Sequence, residues 1–158
     1  MRLTIVGCSG SYPGPDSPAS CYLLEHDGHR ILLDMGNGSV GALHRYGDPY
    51  DLDAILISHL HVDHCIDLTS YYVMRTWHPD GAHPCLPVYG PAGTQERMLA
   101  AYDMGPKQSM QGRFEFIDHR ITTEIGPFRI TTARVDHVVT AYGFRVEAGG
   151  RTLVYSGD

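Results

Sequence analysis

Short apolar runs alternating with glycine- and proline-rich breaks set the pattern of the first half of the chain. Arg2–Val6 reads as a buried strand, ended by Gly7–Ser20, where Pro13, Pro15 and Pro18 block regular structure. Cys21–Glu25 and Arg30–Asp34 are apolar runs on either side of His26-Asp27-Gly28-His29, and the Asp-Gly pair marks a hairpin. Gly36-Asn37-Gly38 interrupts the chain, after which Ser39 is placed to cap a helix running to about Tyr46. Ala54–Ile57 is a β-branched strand, Ile66–Trp77 carries apolar residues at helical spacing, Leu86–Tyr89 is a strand and Gly93–Met104 a helix. From Phe114 the pattern changes to strands joined by tight turns: Phe114–Ile117, Ile121–Ile125, Phe128–Val135, Ala141–Glu147 and Arg151–Ser156. Strands and helices mix without the strict alternation of a doubly wound parallel sheet, so the expected class is α/β of another kind.

Composition narrows the functional classes. The 158 residues are 42% hydrophobic and 19% charged, enough for one substantial core, and one domain over 1–158 is the expectation. A net charge of −6 argues against a broad electrostatic grip on nucleic acid, although a local basic groove would survive that sum. No apolar run approaches the roughly 20 residues that span a bilayer, and Met1–Gly10 lacks the basic and apolar regions of a signal peptide. Cys8, Cys21, Cys65 and Cys85 form no C-x-x-C pair, which fits reduced thiols and a cytoplasmic protein without a membrane partner.

The chemistry is concentrated in Ser58-His59-Leu60-His61-Val62-Asp63-His64, directly after the strand Ala54–Ile57. These are ligand types that zinc takes. On extended backbone His59 and His61 point to one side and can grip one ion together. Asp63 and His64 come where the chain turns toward the helix expected from Ile66, and the turn lets them face a second ion. Two-metal hydrolytic sites hold their ions about 3.5–4 Å apart. A histidine-rich tag would not lie between a buried strand and an amphipathic helix. A third ligand for the first ion is available in Asp118-His119 or Asp136-His137, and spacing alone leaves both open. His26, His29, His44, His78 and His83 read as solvated or locally bonded histidines, and Cys65 as a small packed residue.

The run His59-x-His61-x-Asp63-His64 resembles the H-x-H-x-D-H signature of the metallo-β-lactamase superfamily. Ile31–Gly38 resembles that family's early strand ending in Asp and Gly, and Thr152–Asp158 its later strand ending in a bridging aspartate. The opening Gly7-Cys8-Ser9-Gly10-Ser11 is most similar to the branch of transfer-RNA 3′-processing nucleases (ribonuclease Z) and related phosphodiesterases. The resemblance implies an αββα sandwich of mixed sheets flanked by helices, present here as the N-terminal part of a longer domain. It implies two metal ions, zinc first and manganese or iron as substitutes, held by His59, His61, Asp63, His64, His137 and Asp158. Asp63 would be the catalytic carboxylate, and Asp34 would brace the metal loop. The family pattern calls for one further histidine after Asp158, the last residue given. The implied activity is hydrolysis, with a small or cyclic phosphodiester such as a cyclic nucleotide as the leading substrate. Only 138–157 separate His137 from Asp158, where transfer-RNA processing members carry a long arm. The alternatives are transfer-RNA 3′-end processing, with RNA as partner; thioester, lactone or β-lactam hydrolysis; and an inactive metal-binding module. The resemblance also implies a homodimer.

Overall fold

The computed structural model describes residues 1–105 and 107–158. Ten strands form two sheets (β1 Arg2–Gly7, β2 Cys21–His26, β3 His29–Leu33, β4 Ala54–Leu56, β5 Leu86–Gly90, β6 Phe114–Asp118; then β7 Thr122–Ile125, β8 Phe128–Val135, β9 Ala141–Ala148, β10 Arg151–Tyr155). The first sheet runs β1-β2-β3-β4-β5-β6 and the second β10-β9-β8-β7. β2 and β3 pair antiparallel around Asp27 (φ 49°) and Gly28 (φ 79°), the left-handed pair that a two-residue hairpin with the right twist requires. β3 to β6 are parallel, so each step between them needs a crossover. Helix α1 (Ser39–Leu43) lies between β3 and β4, α2 (Val62–Cys65) and α3 (Asp67–Thr76) between β4 and β5, and α4 (Thr94–Ala101) between β5 and β6. This middle segment alternates strand and helix more regularly than the expectation allowed. The alternation is hidden in the sequence because the helices are short.

Burial explains the apolar runs. Leu32, Ile55 and Val88 face Leu43, Leu68, Tyr71 and Met98 on one side of the first sheet. Ile31, Leu33, Ala54 and Leu56 face Phe128, Ile130, Phe144 and Val146 of the second sheet on the other. Central parallel strands buried on both faces read as continuous hydrophobic runs, as β3 and β4 do. The second sheet alternates instead, with Phe128 and Ile130 inward and Arg129 outward. The layers are helices, sheet and sheet, and among the described residues no helix covers the outer face of the second sheet. No helix is long and apolar enough to cross a membrane among the described residues.

Three helices differ from expectation at their ends. Ser39 is the first residue of α1 rather than its cap: Gly38 (φ 87°) occupies the cap, and no side chain bonds there. The acceptor comes from across the fold, where Asp67 Oδ2 takes the Val40 N–H at 2.9 Å. α1 itself stops at Leu43 and continues only as a 3-10 turn over His44–Tyr46. Helical backbone in the histidine run begins at Val62, not near Ile66, so Asp63 and His64 lie on a helical turn of their own. α4 is shorter than the Gly93–Met104 expected, because Gly93 is its left-handed cap and Tyr102 its C-cap.

Phe128, 1% exposed, closes the inter-sheet core at the start of β8. Its replacement by alanine is expected to cost about 3–5 kcal/mol of unfolding free energy in urea titration. A loss below about 1 kcal/mol would show that the two sheets do not depend on that packing.

Candidate metal centre

All the expected site residues sit at one end of the molecule, where β3, β4, β8 and β10 finish. Asp34 follows β3, Ser58 to His61 follow β4, His137 follows β8, and Asp158 follows β10. Parallel β3 and β4 share a direction, and the antiparallel meander returns β8 and β10 to the same end. Residues far apart in the chain therefore meet in one place.

His59, His61, His137 and Asp158 each aim one ligand atom into a common space, all within 4.8 Å of one another. His59 Nε2 lies 3.0 Å and His137 Nε2 3.2 Å from His61 Nδ1, and His137 Nε2 is 3.9 Å from Asp158 Oδ2. A tetrahedral ion with nitrogen bonds of 2.0–2.1 Å separates its ligand atoms by roughly 3.3 Å, so the spacing fits zinc. The donor set of three imidazoles and a carboxylate also suits such an ion. Burial, reinforced by the adjacent His64, pushes His59 down to about 4, which keeps its imidazole neutral and able to donate a lone pair.

Asp63 and His64 stand beside this group rather than within it. The His59 and His64 rings are 4.1 Å apart, and His64 Nε2 is 3.5 Å from Asp63 Oδ2. His64 Nδ1 bonds Asp34 Oδ2 at 2.7 Å, which leaves Nε2 pointing toward Asp63. Burial works against a charged His64, but its bond to Asp34 and that carboxylate's charge prevail and raise its pKa.

Asp34 is fully buried and left-handed (φ 59°), a conformation that aspartate tolerates better than most residues. Its Oδ1 accepts the Ser58 N–H at 2.6 Å. Its Oδ2 accepts from Ser58 Oγ at 2.7 Å, from His64 and from the Tyr155 hydroxyl at 2.5 Å. Ser58 Oγ is also 3.0 Å from His59 Nδ1, so the carboxylate reaches two histidines, one directly and one through a hydroxyl. Burial and the Asp34 charge push the Tyr155 phenol well up, and it stays a donor. Sequence reasoning missed Ser58 and Tyr155. The inward side of β10, shared by Leu153 and Tyr155, was the available signal.

Backbone contacts hold the ligand turn against this aspartate. Met35 N–H donates to His64 O at 2.7 Å, and Asp67 N–H to Met35 O at 3.1 Å. A Cβ on Gly36 would lie 1.9 Å from Asp63 O, so only glycine allows this approach. His119 is elsewhere: its Nε2 bonds the Ile57 carbonyl at 2.8 Å and its ring packs on Tyr142 and Phe144. Burial lowers its pKa. His78 and His83 pack around Tyr50 near the other end of α3. Cys65 is buried, with its thiol on His61 O, and all four cysteines are free.

A model of the beta-lactamase superfamily domain matches residues 29–158. The protein ML1173 of Mycobacterium leprae is 40% identical over the whole of this chain, which spans 57% of that protein. The probable metallo-hydrolase YhfI of Bacillus subtilis is 31% identical, again over the whole chain and 64% of its own length. Its crystal structure, described as a metallo-beta-lactamase fold protein, superposes with a TM-score of 0.83 over 99% of this chain and 62% of that one, at 28% identity. A ribonuclease Z of Chlamydia trachomatis is 31% identical over 91% of this chain and 48% of its own. The chain thus spans less than two thirds of each of these relatives. Its mixed sheet packed against an antiparallel one, its histidine run and these matches place it in the beta-lactamase superfamily, with the metallo-β-lactamase fold.

Proposed function

We propose that the protein is a hydrolase with two divalent metal ions, zinc first, that cleaves a small or cyclic phosphodiester. The observation that carries this reading is the convergence of His59, His61, His137 and Asp158, with Asp63 and His64 alongside. His59, His61 and His137 would hold one ion, Asp63 and His64 the other, and Asp158 both. Ions bound there would lower the pKa of a shared water toward neutrality and accept charge developing on the phosphoryl oxygens. Asp63 Oδ2, beside His64 Nε2, would orient the attacking water and take up its proton. Asp34 would keep His64 and, through Ser58, His59 turned so that Nε2 faces the site.

A small substrate is supported by the segment between His137 and Asp158. A short loop, β9, a glycine turn and β10 occupy it, leaving no room for an RNA-holding arm. The net charge of −6 points the same way. RNA 3′-end processing is the second reading, favoured by the similarity to a ribonuclease Z.

Hydrolysis of bis(p-nitrophenyl) phosphate by the purified protein is expected to vanish with a chelator and return with added zinc. Turnover unchanged by the chelator would end the metal-dependent reading. Comparing a cyclic nucleotide with a transfer-RNA precursor then separates the two substrates, and cleavage of the RNA alone would favour the second. The assignment of the third histidine has its own test. His137→Ala is expected to lower metal content and reduce activity by more than about 100-fold. His119→Ala is expected to retain the metal and lose about 1–3 kcal/mol of stability, from the abandoned Ile57 carbonyl. The reverse outcome in metal analysis would transfer the ligand role to His119.

A further inference from the structure

Asp158 reaches the site from the end of β10. Its Oδ2 lies 3.9 Å from His137 Nε2. Among the described residues, the Ser156 hydroxyl bonds its neighbour Gly157. Gly157 is left-handed (φ 75°) and packed against Ser58 and the Tyr142 carbonyl. Walking back from Asp158, the first side chain that bonds another part of the fold is Tyr155. Its hydroxyl crosses from the second sheet to Asp34 at the end of β3 in the first. Its ring is wedged beside Tyr22 of β2 (centroids 5.1 Å) and Phe144 of β9 (6.2 Å). The same carboxylate oxygen takes His64 Nδ1–H. One atom therefore fixes a ligand of the histidine run and the strand that delivers Asp158.

We infer that Tyr155 is a positioning residue: its hydrogen bond to Asp34 sets the distance between Asp158 and the Asp63–His64 pair, and with it the affinity for the second ion. The inference rests on the two-metal reading above. The first ion has three histidines and would tolerate some drift of Asp158. Among the described residues the second would draw one imidazole, from His64, with the Asp63 and Asp158 carboxylates, and would tolerate less. Loss of the phenol oxygen also leaves Asp34 with three remaining donor bonds, from Ser58 N, Ser58 Oγ and His64. No buried charge is stranded, so the change is one of alignment rather than of folding.

The test is a competitive titration of the metal-free protein with zinc against a chromophoric chelator, on the wild type, Tyr155→Phe and Tyr22→Phe. Tyr155→Phe keeps the ring that packs on Tyr22 and Phe144 and removes only the donor. Tyr22→Phe deletes a neighbouring hydroxyl that makes no bond to Asp34. The expected result is two classes of site in the wild type and in Tyr22→Phe. In Tyr155→Phe the weaker class should lose 10-fold or more in affinity while the tighter class moves by less than about 3-fold, the range seen when partners of metal ligands are removed. The melting temperature of metal-free Tyr155→Phe should stay near that of Tyr22→Phe. Two intact classes in Tyr155→Phe would overturn the inference and leave the two-metal reading standing. Equal weakening of both classes, with a lowered melting temperature, would overturn it in favour of a general packing role. A wild type that binds no zinc would overturn both.

Discussion

The arrangement at the strand ends depends on one buried carboxylate. Asp34 takes four hydrogen bonds on two oxygens, from the Ser58 backbone and hydroxyl, from His64 and from Tyr155. A carboxylate is costly to bury unless its lone pairs are filled, and here they are filled by groups that each lead to the candidate site. The Ser58 amide starts the histidine run, its hydroxyl meets His59, His64 lies on the short helical turn, and Tyr155 leads to Asp158. The carboxylate's need for partners thus becomes the geometry of the convergent side chains.

The aspartate can perform this task because the two hydrophobic layers fix its surroundings. The helix-facing cluster holds β3, β4 and β5 against Leu68, Tyr71 and Met98. The inter-sheet cluster holds β3 and β4 against β8 and β9. β3 and β4 belong to both, and they are the strands that end in Asp34 and in Ser58-His59. Packing on two faces makes their ends the least free to move, which suits groups that must hold a geometry to fractions of an ångström. The polar contacts then complete what packing begins. Tyr142 N–H donates to the Ser58 carbonyl, and His119 donates to that of Ile57, so each sheet holds the backbone of the ligand run in place.

The glycines around the site follow the same logic of close approach. Gly36 lets the loop after β3 press on the Asp63 backbone, where any side chain would collide. Gly38 supplies the left-handed residue that starts α1, and Asp67 reaches across from α3 to satisfy that start. Burial raises the Asp67 carboxyl even though the backbone donors of Gly38, Ser39 and Val40 pull it down. A cap supplied from another helix ties α1 to α3, and so ties the loop beside the ligand turn to the helix that follows it.

Much of this was legible in the residues. The hairpin at Asp27-Gly28, the continuous apolar runs of β3 and β4, the alternation of β8 and the ligand-dense run from His59 to His64 are local patterns. Periodicity, turn chemistry and ligand type report on local structure directly. Spacing left His119 and His137 open, and only a resemblance separated them, because which strand ends lie side by side is a property of sheet order. The short helix at Val62 and the cap from Asp67 were invisible for a related reason: four residues are too few to show a period, and the acceptor lies 27 positions from the amide it serves. Ser58 carries no sequence signature of its own, and the inward position of Tyr155 on β10 marks its burial but not its partner. A hydroxyl becomes a partner of Asp34 only when β3, β4 and β10 bring it within bonding distance. The sequence by itself determined the elements, the two-faced burial and the kind of chemistry. The tertiary structure decided which distant side chains share one space, because hydrogen bonds and ligand sets are made between neighbours in space and not along the chain.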